Sequence, residues 1–223
     1  MKRLSLRLET LLSMIPKDVH YLVDVGADHG YFILEAISRK QIEKGMGVEN
    51  KIGPYTHLVE MVKKYHLSDQ VETSLSSGLE KVEVPLEMAL IAGMGTKTIL
   101  NILHHDEEKL KDIQYLLIDA HNDLPTLRKE IVKFGYQIVS EKIVLEDQVF
   151  YELILFKRGE ATYQKEDYDF GPILRREKEK TFIRKWQGKI QKNLDLLKNP
   201  LLSPSRKIQL EKEIHYWENQ VWK

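Results

Sequence analysis

The chain alternates between two kinds of apolar pattern. Short continuous runs fit strands buried on both faces, and stretches with apolar residues three or four apart fit amphipathic helices. Leu4, Leu8, Leu11 and Leu12 stand at helical spacing, which predicts a helix over 4–14, stopped by Pro16. The run 21–25 predicts a buried strand ending at Gly26, with a helix over 31–43 behind it. The alternation continues with strands over 46–48, 71–75, 88–92 and 115–118, and helices over 54–65, 96–104 and 124–134. Pro125 falls in the first turn of the last helix, where its missing N–H costs little. Then the order changes. Two β-rich runs, 136–144 and 149–156, are joined by Leu145-Glu146-Asp147-Gln148, and so short a link predicts antiparallel pairing. Five βα units followed by an antiparallel terminal hairpin describe an α/β, Rossmann-like, doubly wound sheet of seven strands. Right-handed crossovers bring the ends of its parallel strands to one edge, where ligands bind.

Beyond residue 160 the strand pattern stops. Ile183, Trp186, Ile190, Leu194 and Leu197 form one helical stripe, and Leu210, Ile214, Trp217 and Val221 form another. The breaker-rich stretch 199–205 separates them, so a helical hairpin with coiled-coil-like stripes is expected. The expected organisation is therefore a Rossmann-like domain over 1–160 and a helical arm over 161–223.

Charge sharpens that division. The whole chain carries 34 basic and 34 acidic residues. Residues 173–223, however, hold 13 basic against 6 acidic side chains, about +7, which leaves an acidic body with a basic arm. Such an arm suits the phosphates of a nucleic acid. Trp186 and Trp217 lie on the apolar stripes and read as core rather than as stacking platforms for bases; Trp222 lies off them. The chain has no cysteine, so disulfides and thiolate metal sites are excluded, which suits a reducing, cytoplasmic setting. No apolar leader opens it and no run approaches a membrane span, so neither a signal peptide nor a membrane partner is expected. No ligand spacing of histidines and carboxylates calls for a metal.

The candidate chemistry begins at Asp24-Val25-Gly26-Ala27-Asp28-His29-Gly30, a strand end that turns into a helix. Gly26 permits a tight turn and Gly30 a close helix start. Glu49, at the end of the next strand, is placed to accept both hydroxyls of a ribose. Asp28 stands where a pyrophosphate loop needs its second glycine. A carboxylate there repels a diphosphate and attracts an ammonium and a sulfonium, which favours S-adenosyl-L-methionine over a dinucleotide. The terminal antiparallel pair also argues against a dehydrogenase. A second turn, Ile91-Ala92-Gly93-Met94-Gly95-Thr96, ends the fourth strand, and its glycines let backbone approach a substrate closely. Plainer readings stand beside these: Met94 as core filler, His29 as a helix cap, His121 as a loop residue and His104-His105 as cations at a helix end.

In order along the chain, Leu6-Arg7-Leu8, the segment 24–31, Asn50-Lys51-Ile52-Gly53-Pro54, Ser77-Gly78-Leu79, the turn 91–95, Leu127-Arg128 and Glu146-Asp147 with Phe150-Tyr151-Glu152 resemble the bacterial tRNA (adenine-22-N1)-methyltransferases, the TrmK family. The resemblance covers about residues 4–156 and extends to the helical arm. It implies a class I S-adenosyl-L-methionine-dependent methyltransferase that methylates N1 of adenine 22 in tRNA, with the arm engaging the RNA. Asp24, Gly26, Asp28, His29, Gly30, Glu49, Asn50, Ser77, Gly78, Ala92 and Gly93 are then the expected cofactor-binding residues. Asp28, Gly93, Met94 and Gly95 are expected around the transferred methyl group. Asp28 has two readings here, holding the amino group of the cofactor or stabilising positive charge on the base. A cytoplasmic monomer is expected. The chain departs from the family pattern in having Ser76-Ser77 before Gly78-Leu79, where the family has Gly-Asp. Thr96 stands in place of a glycine, and Ala120-His121 precedes Asn122 in place of Gln-Pro. A methyltransferase with another substrate and a non-catalytic RNA-binding protein remain as alternatives.

Overall fold

The computed structural model describes residues 4–222; residues 1–3, read above as lacking an apolar leader, and Lys223, counted in the basic arm, lie outside them. Two units can be described, one ending at Thr162 and one beginning at Tyr163.

The first unit opens with α1 (Leu6–Ser13), whose start is capped by Ser5: its hydroxyl accepts from the Leu8 N–H at 3.3 Å. The βα units follow as β1 (Tyr21–Val25), α2 (Tyr31–Ser38), β2 (Lys44–Glu49), α3 (Ile52–Lys64), β3 (Val71–Leu75), β4 (Leu86–Met94), α4 (Thr96–His105), α5 (Glu107–Leu110), β5 (Ile113–Ala120) and α6 (Leu124–Lys133). β6 (Tyr136–Glu146) and β7 (Val149–Arg158) close the unit. The strands form one seven-stranded sheet in the order β3-β2-β1-β4-β5-β7-β6. β1 to β5 run parallel, and β7 runs antiparallel to both β5 and β6. This is the doubly wound sheet with a terminal hairpin that the apolar pattern predicts. The central strands β1, β4 and β5 are apolar almost throughout and buried, because helices cover both faces. The strand order reverses between β1 and β4, which opens a crevice at the carboxyl edge.

Several boundaries differ from the sequence pattern. α2 stops at Ser38 rather than 43, because Ser38-Arg39-Lys40 offers no apolar face and Lys40 turns the chain with φ 58°. β2 starts two residues early, and α3 starts at Ile52, ahead of Pro54. β4 runs on to Met94, with a register shift between Ala92 and Met94. β6 and β7 approach each other to a two-residue turn, Asp147-Gln148, with φ 47° and 64°; left-handed residues at both turn positions match the twist of a hairpin. α5, only four residues long, is too short to show a period.

Within this unit lies a fully buried ionic cluster. Arg128 of α6 reaches Glu141 of β6 at 2.9 Å through Nε and 2.8 Å through Nη2, and its Nη2 also donates to Glu152 of β7. Leu127-Arg128 and Glu152, which help carry the family resemblance, thus bind helix to hairpin rather than face a ligand.

The second unit contains α7 (Lys165–Phe170), α8 (Pro172–Glu177), α9 (Lys180–Leu197) and α10 (Pro204–Trp222). α7 and α8 escape periodicity for want of length; α7 starts with a capping box of Gln164 and Asp167. α9 and α10 form the expected hairpin, but the buried face of α9 is rotated. Phe182, Trp186, Ile190 and Asn193 point inward, whereas Ile183 is only half-buried and Leu194 is 39% exposed. Asn193 accounts for the rotation, since it lies inward and donates to Glu213 of α10 at 2.9 Å. Trp186 packs against Phe170, Phe182 and Trp217, and Leu210, Ile214 and Val221 are buried on α10. Trp222 is 55% exposed.

Candidate active site

The crevice holds a cavity of about 760 Å³, within the size range of small-molecule sites. Its floor is the β1–α2 turn. Gly26 takes φ 78° there, and the Met94 methyl occupies the space where a Cβ at 26 would stand. The two glycine turns read separately from sequence therefore meet, and only a residue without a side chain fits between them. Gly26 and Ala27 donate their N–H groups to Val48 O at 2.9 and 3.2 Å, which fastens the turn to β2. Asp28 adopts φ 49°, a left-handed conformation that aspartate tolerates, and projects an exposed carboxylate at the rim.

Glu49 ends β2 within the cavity wall and is 7% exposed. Its Oε1 accepts the Asp28 backbone N–H, so the same carboxylate shapes the loop and faces the cavity. Asp24 lies beneath, 4% exposed and outside the lining. Burial, with the Glu49 carboxylate adding to it, pushes its carboxyl up to about 7. Asn50, Ser77, Gly78, Ala92, Gly93 and Met94 line the cavity together with Gly26, Asp28 and Glu49. Three other candidate residues do not. His29 pairs with Asp28 at 3.5 Å and stacks between Tyr31 and His57. Gly30 begins α2 packed on Leu58, and a Cβ there would collide with that side chain rather than reach a ligand. Gly95 is the N-cap of α4, braced where Thr96 N–H donates to Asn122 Oδ1 at 3.0 Å.

Further lining residues escape the motif reading. Lys51 and Pro54 belong to the motif begun by Asn50, and Ser76 adjoins Ser77, but Thr98, Asn101, Ile102 and His105 come from α4, and Asp106 lies just past it. Their spacing of 3, 1 and 3 along α4 puts them on one face of the helix, a signal present in the sequence but masked by its mixed polarity. Asp106 is 8% exposed and accepts the Leu79 N–H at 3.0 Å. Lys109 gathers the carbonyls of Leu79, Glu80 and Val82 at 2.6–2.9 Å. Asp106 and Lys109, at the start of and within α5, thus hold the turn after β3 in place.

The lining suits an elongated ligand with a diol and a cationic group. Carboxylates of Asp28, Glu49 and Asp106 outnumber the one lysine, Lys51, which disfavours a diphosphate and favours a cationic ligand. Among the described residues no cluster of histidines and carboxylates could hold a metal ion, and no helix is long and apolar enough to cross a membrane.

Known proteins with this arrangement point the same way. A family model described as tRNA (adenine(22)-N(1))-methyltransferase matches residues 22–221. The tRNA (adenine(22)-N(1))-methyltransferase of Bacillus subtilis (strain 168) is 27% identical over 196 residues, which cover 85% of this chain and 82% of that one. A Streptococcus pneumoniae protein solved in complex with S-adenosyl-L-methionine is 30% identical, covers 98% of this chain and 100% of its own, and superimposes with a TM-score of 0.88. TrmK from M. capricolum, solved with S-adenosyl-homocysteine, shares the fold at a TM-score of 0.85 and 23% identity, over 98% of this chain and 97% of that one.

Proposed function

The chain belongs to the tRNA (adenine(22)-N(1))-methyltransferase family, and from that premise we propose how its residues carry out S-adenosyl-L-methionine-dependent methylation of N1 of adenine 22 in tRNA. The observation that carries the reading is the acidic cavity built where the turns at 26 and 94 meet. When bound, S-adenosyl-L-methionine supplies a methyl group on a sulfonium. Glu49 is the acceptor for the ribose hydroxyls, with Asn50 beside it. Asp28 places negative charge at the rim, where it draws in a cationic ligand and favours the positive charge that develops on the base. Gly93 and Met94 form the wall nearest the acceptor, and Gly95 sets the helix start behind them. N1 of adenine brings its own lone pair, so no side chain need take a proton. Alignment is then the main contribution, and alignment alone can lower a barrier by about 7–11 kcal/mol.

The unit beginning at Tyr163 is the tRNA-engaging arm in this reading, and the working form is a cytoplasmic monomer. The test is incubation with labelled S-adenosyl-L-methionine and unmodified tRNA, followed by mapping of the modified nucleotide. Label in N1-methyladenosine at position 22 is expected, and no incorporation into any tRNA would overturn the reading. Asp28→Ala is expected to cut the single-turnover rate at least ten-fold while tRNA affinity stays within two-fold.

A further inference from the structure

Gly93 separates two environments. One side of it lines the cofactor cavity. On the other, Arg7 Nη1 and His121 Nε2 stand 3.9 and 4.0 Å from the position a Cβ would take, so both side chains converge on this side of the glycine. Arg7 comes from α1, His121 from the turn just after β5, and Tyr151 from β7. These elements are distant in sequence, and none of these three residues lines the cofactor cavity. The Arg7 guanidinium lies over the Tyr151 ring at 4.9 Å, and the His121 ring meets the same tyrosine edge-on at 6.4 Å. His121 is exposed and Tyr151 half-buried.

Beneath them is Asp119, wholly buried, which takes Arg7 Nη1 on Oδ2 at 2.7 Å. Its Oδ1 has no side-chain partner among the described residues. Burial pushes the Asp119 carboxyl up, and Arg7, His121 and the backbone N–H of Gly93 oppose that rise. Burying a carboxylate is costly, and a packing role alone would be met by an apolar residue. What the ion pair adds is a fixed direction for the planar guanidinium. Apart from the bond to Asp119, no guanidinium N–H of Arg7 is hydrogen-bonded among the described residues.

We propose that this side of Gly93 is the seat of the acceptor base: a purine on an RNA strand, stacked on the exposed His121 ring that Tyr151 braces edge-on, with Arg7 donating to an adjoining phosphate. Aromatic faces hold a base without reading its sequence, and a guanidinium positions the phosphate. Asp119 is a positioning residue that acts through Arg7. The Arg7–Asp119 pair has no net charge, so a base that becomes cationic on methylation is not driven off by an isolated guanidinium. The proposal rests on the function above only in placing the methyl donor on the inner side of Gly93.

The experiment compares wild type with His121→Ala, Tyr151→Ala and Tyr151→Phe, using unmodified tRNA. The His121 side chain makes no hydrogen bond among the described residues, so its loss spares the fold, and Tyr151→Phe keeps the ring. His121→Ala and Tyr151→Ala are each expected to lose roughly five-fold or more in kcat/KM for tRNA, the scale of one base stack. Calorimetric Kd for S-adenosyl-L-methionine should stay within two-fold, and Tyr151→Phe should retain most of the activity. Full kcat/KM in both alanine variants would overturn the seat while leaving the function intact. A second arm irradiates wild type with tRNA carrying 8-azidoadenosine and maps the crosslinked peptides. Crosslinks within 119–122 or 149–152 support the seat even if no N1-methyladenosine forms, in which case it is the function that fails. Crosslinks confined to other peptides overturn the seat.

Discussion

At the scale of single residues, Asp24 is where burial and charge conflict most openly. Its carboxyl is pushed from 3.8 up to about 7 by burial and by Glu49. Between those two values the folded chain keeps a proton that the unfolded chain has released. Stability from this group therefore falls as pH rises from about 4 to about 7, and levels off above that. Asp24→Asn, which stays neutral throughout, is expected to flatten the dependence of Tm on pH between pH 4.5 and 7.5. Melting scans across that range in non-interacting buffers check it; an unchanged slope would show that Asp24 is ionised in the folded state. Residue-level legibility followed sequence distance. Gly26, Asp28 and Glu49 sit at strand ends whose chemistry is local, so their place in the cavity could be read. Asp106 and the α4 face could not, because their relevance depends on how α4 packs over the sheet edge. His29, Gly30 and Gly95 show the converse: they belong to the same short motifs, yet their geometry serves the turn and the helix starts.

At the scale of elements, the Arg128 cluster governs how α6 meets the terminal hairpin. One guanidinium serves two buried glutamates on two strands, 0% exposed on its own side chain. Arg128→Met would leave both carboxylates in the interior without their cation, and removing one partner of a buried ion pair typically costs about 3–5 kcal/mol. Urea denaturation should show a loss of this size, and Arg128→Lys should recover only part of it, because an ammonium cannot span both glutamates as a planar fork does. A loss under about 1 kcal/mol in Arg128→Met would mean that the pocket hydrates or the glutamates protonate at little cost. Elements were the most legible level of this chain. Strands β1 to β7 were found because their apolar runs are bounded by glycine, proline or charge. Helix ends were less so, as at Ser38, where exposed polar residues ended α2 although Ile42 still extended the apolar pattern. On α9 the pattern marked the right helix but the wrong edge of its buried face, since an inward asparagine with a partner on α10 is invisible to a hydrophobic count.

At the scale of the molecule, the even charge balance conceals an uneven distribution of charge along the chain. Residues 173–223 hold the basic excess, and Lys180, Lys192 and Lys212 are exposed there. Replacing those three lysines with glutamine is expected to weaken tRNA binding and to make log K less steep against log salt. Each lost phosphate contact removes roughly 0.7–0.9 from the slope. Filter binding at four salt concentrations measures it, with cofactor affinity as the control; an unchanged slope would remove these three lysines from the tRNA interface. Finally, α1 is held to the first unit by long-range ties. Leu6 N–H donates to Glu146 at 2.6 Å across 140 positions, and Arg7 reaches Asp119 across 112. Every residue lining the cavity at the sheet edge, by contrast, precedes Glu107. During synthesis, then, the walls of that cavity leave the ribosome well before the segment that secures the first helix. Loop-closure entropy delays contacts of such separation in refolding as well. Pulsed hydrogen exchange should find the amides of β1, β2 and β4 protected before those of α1, and simultaneous protection would show that the unit folds in a single step.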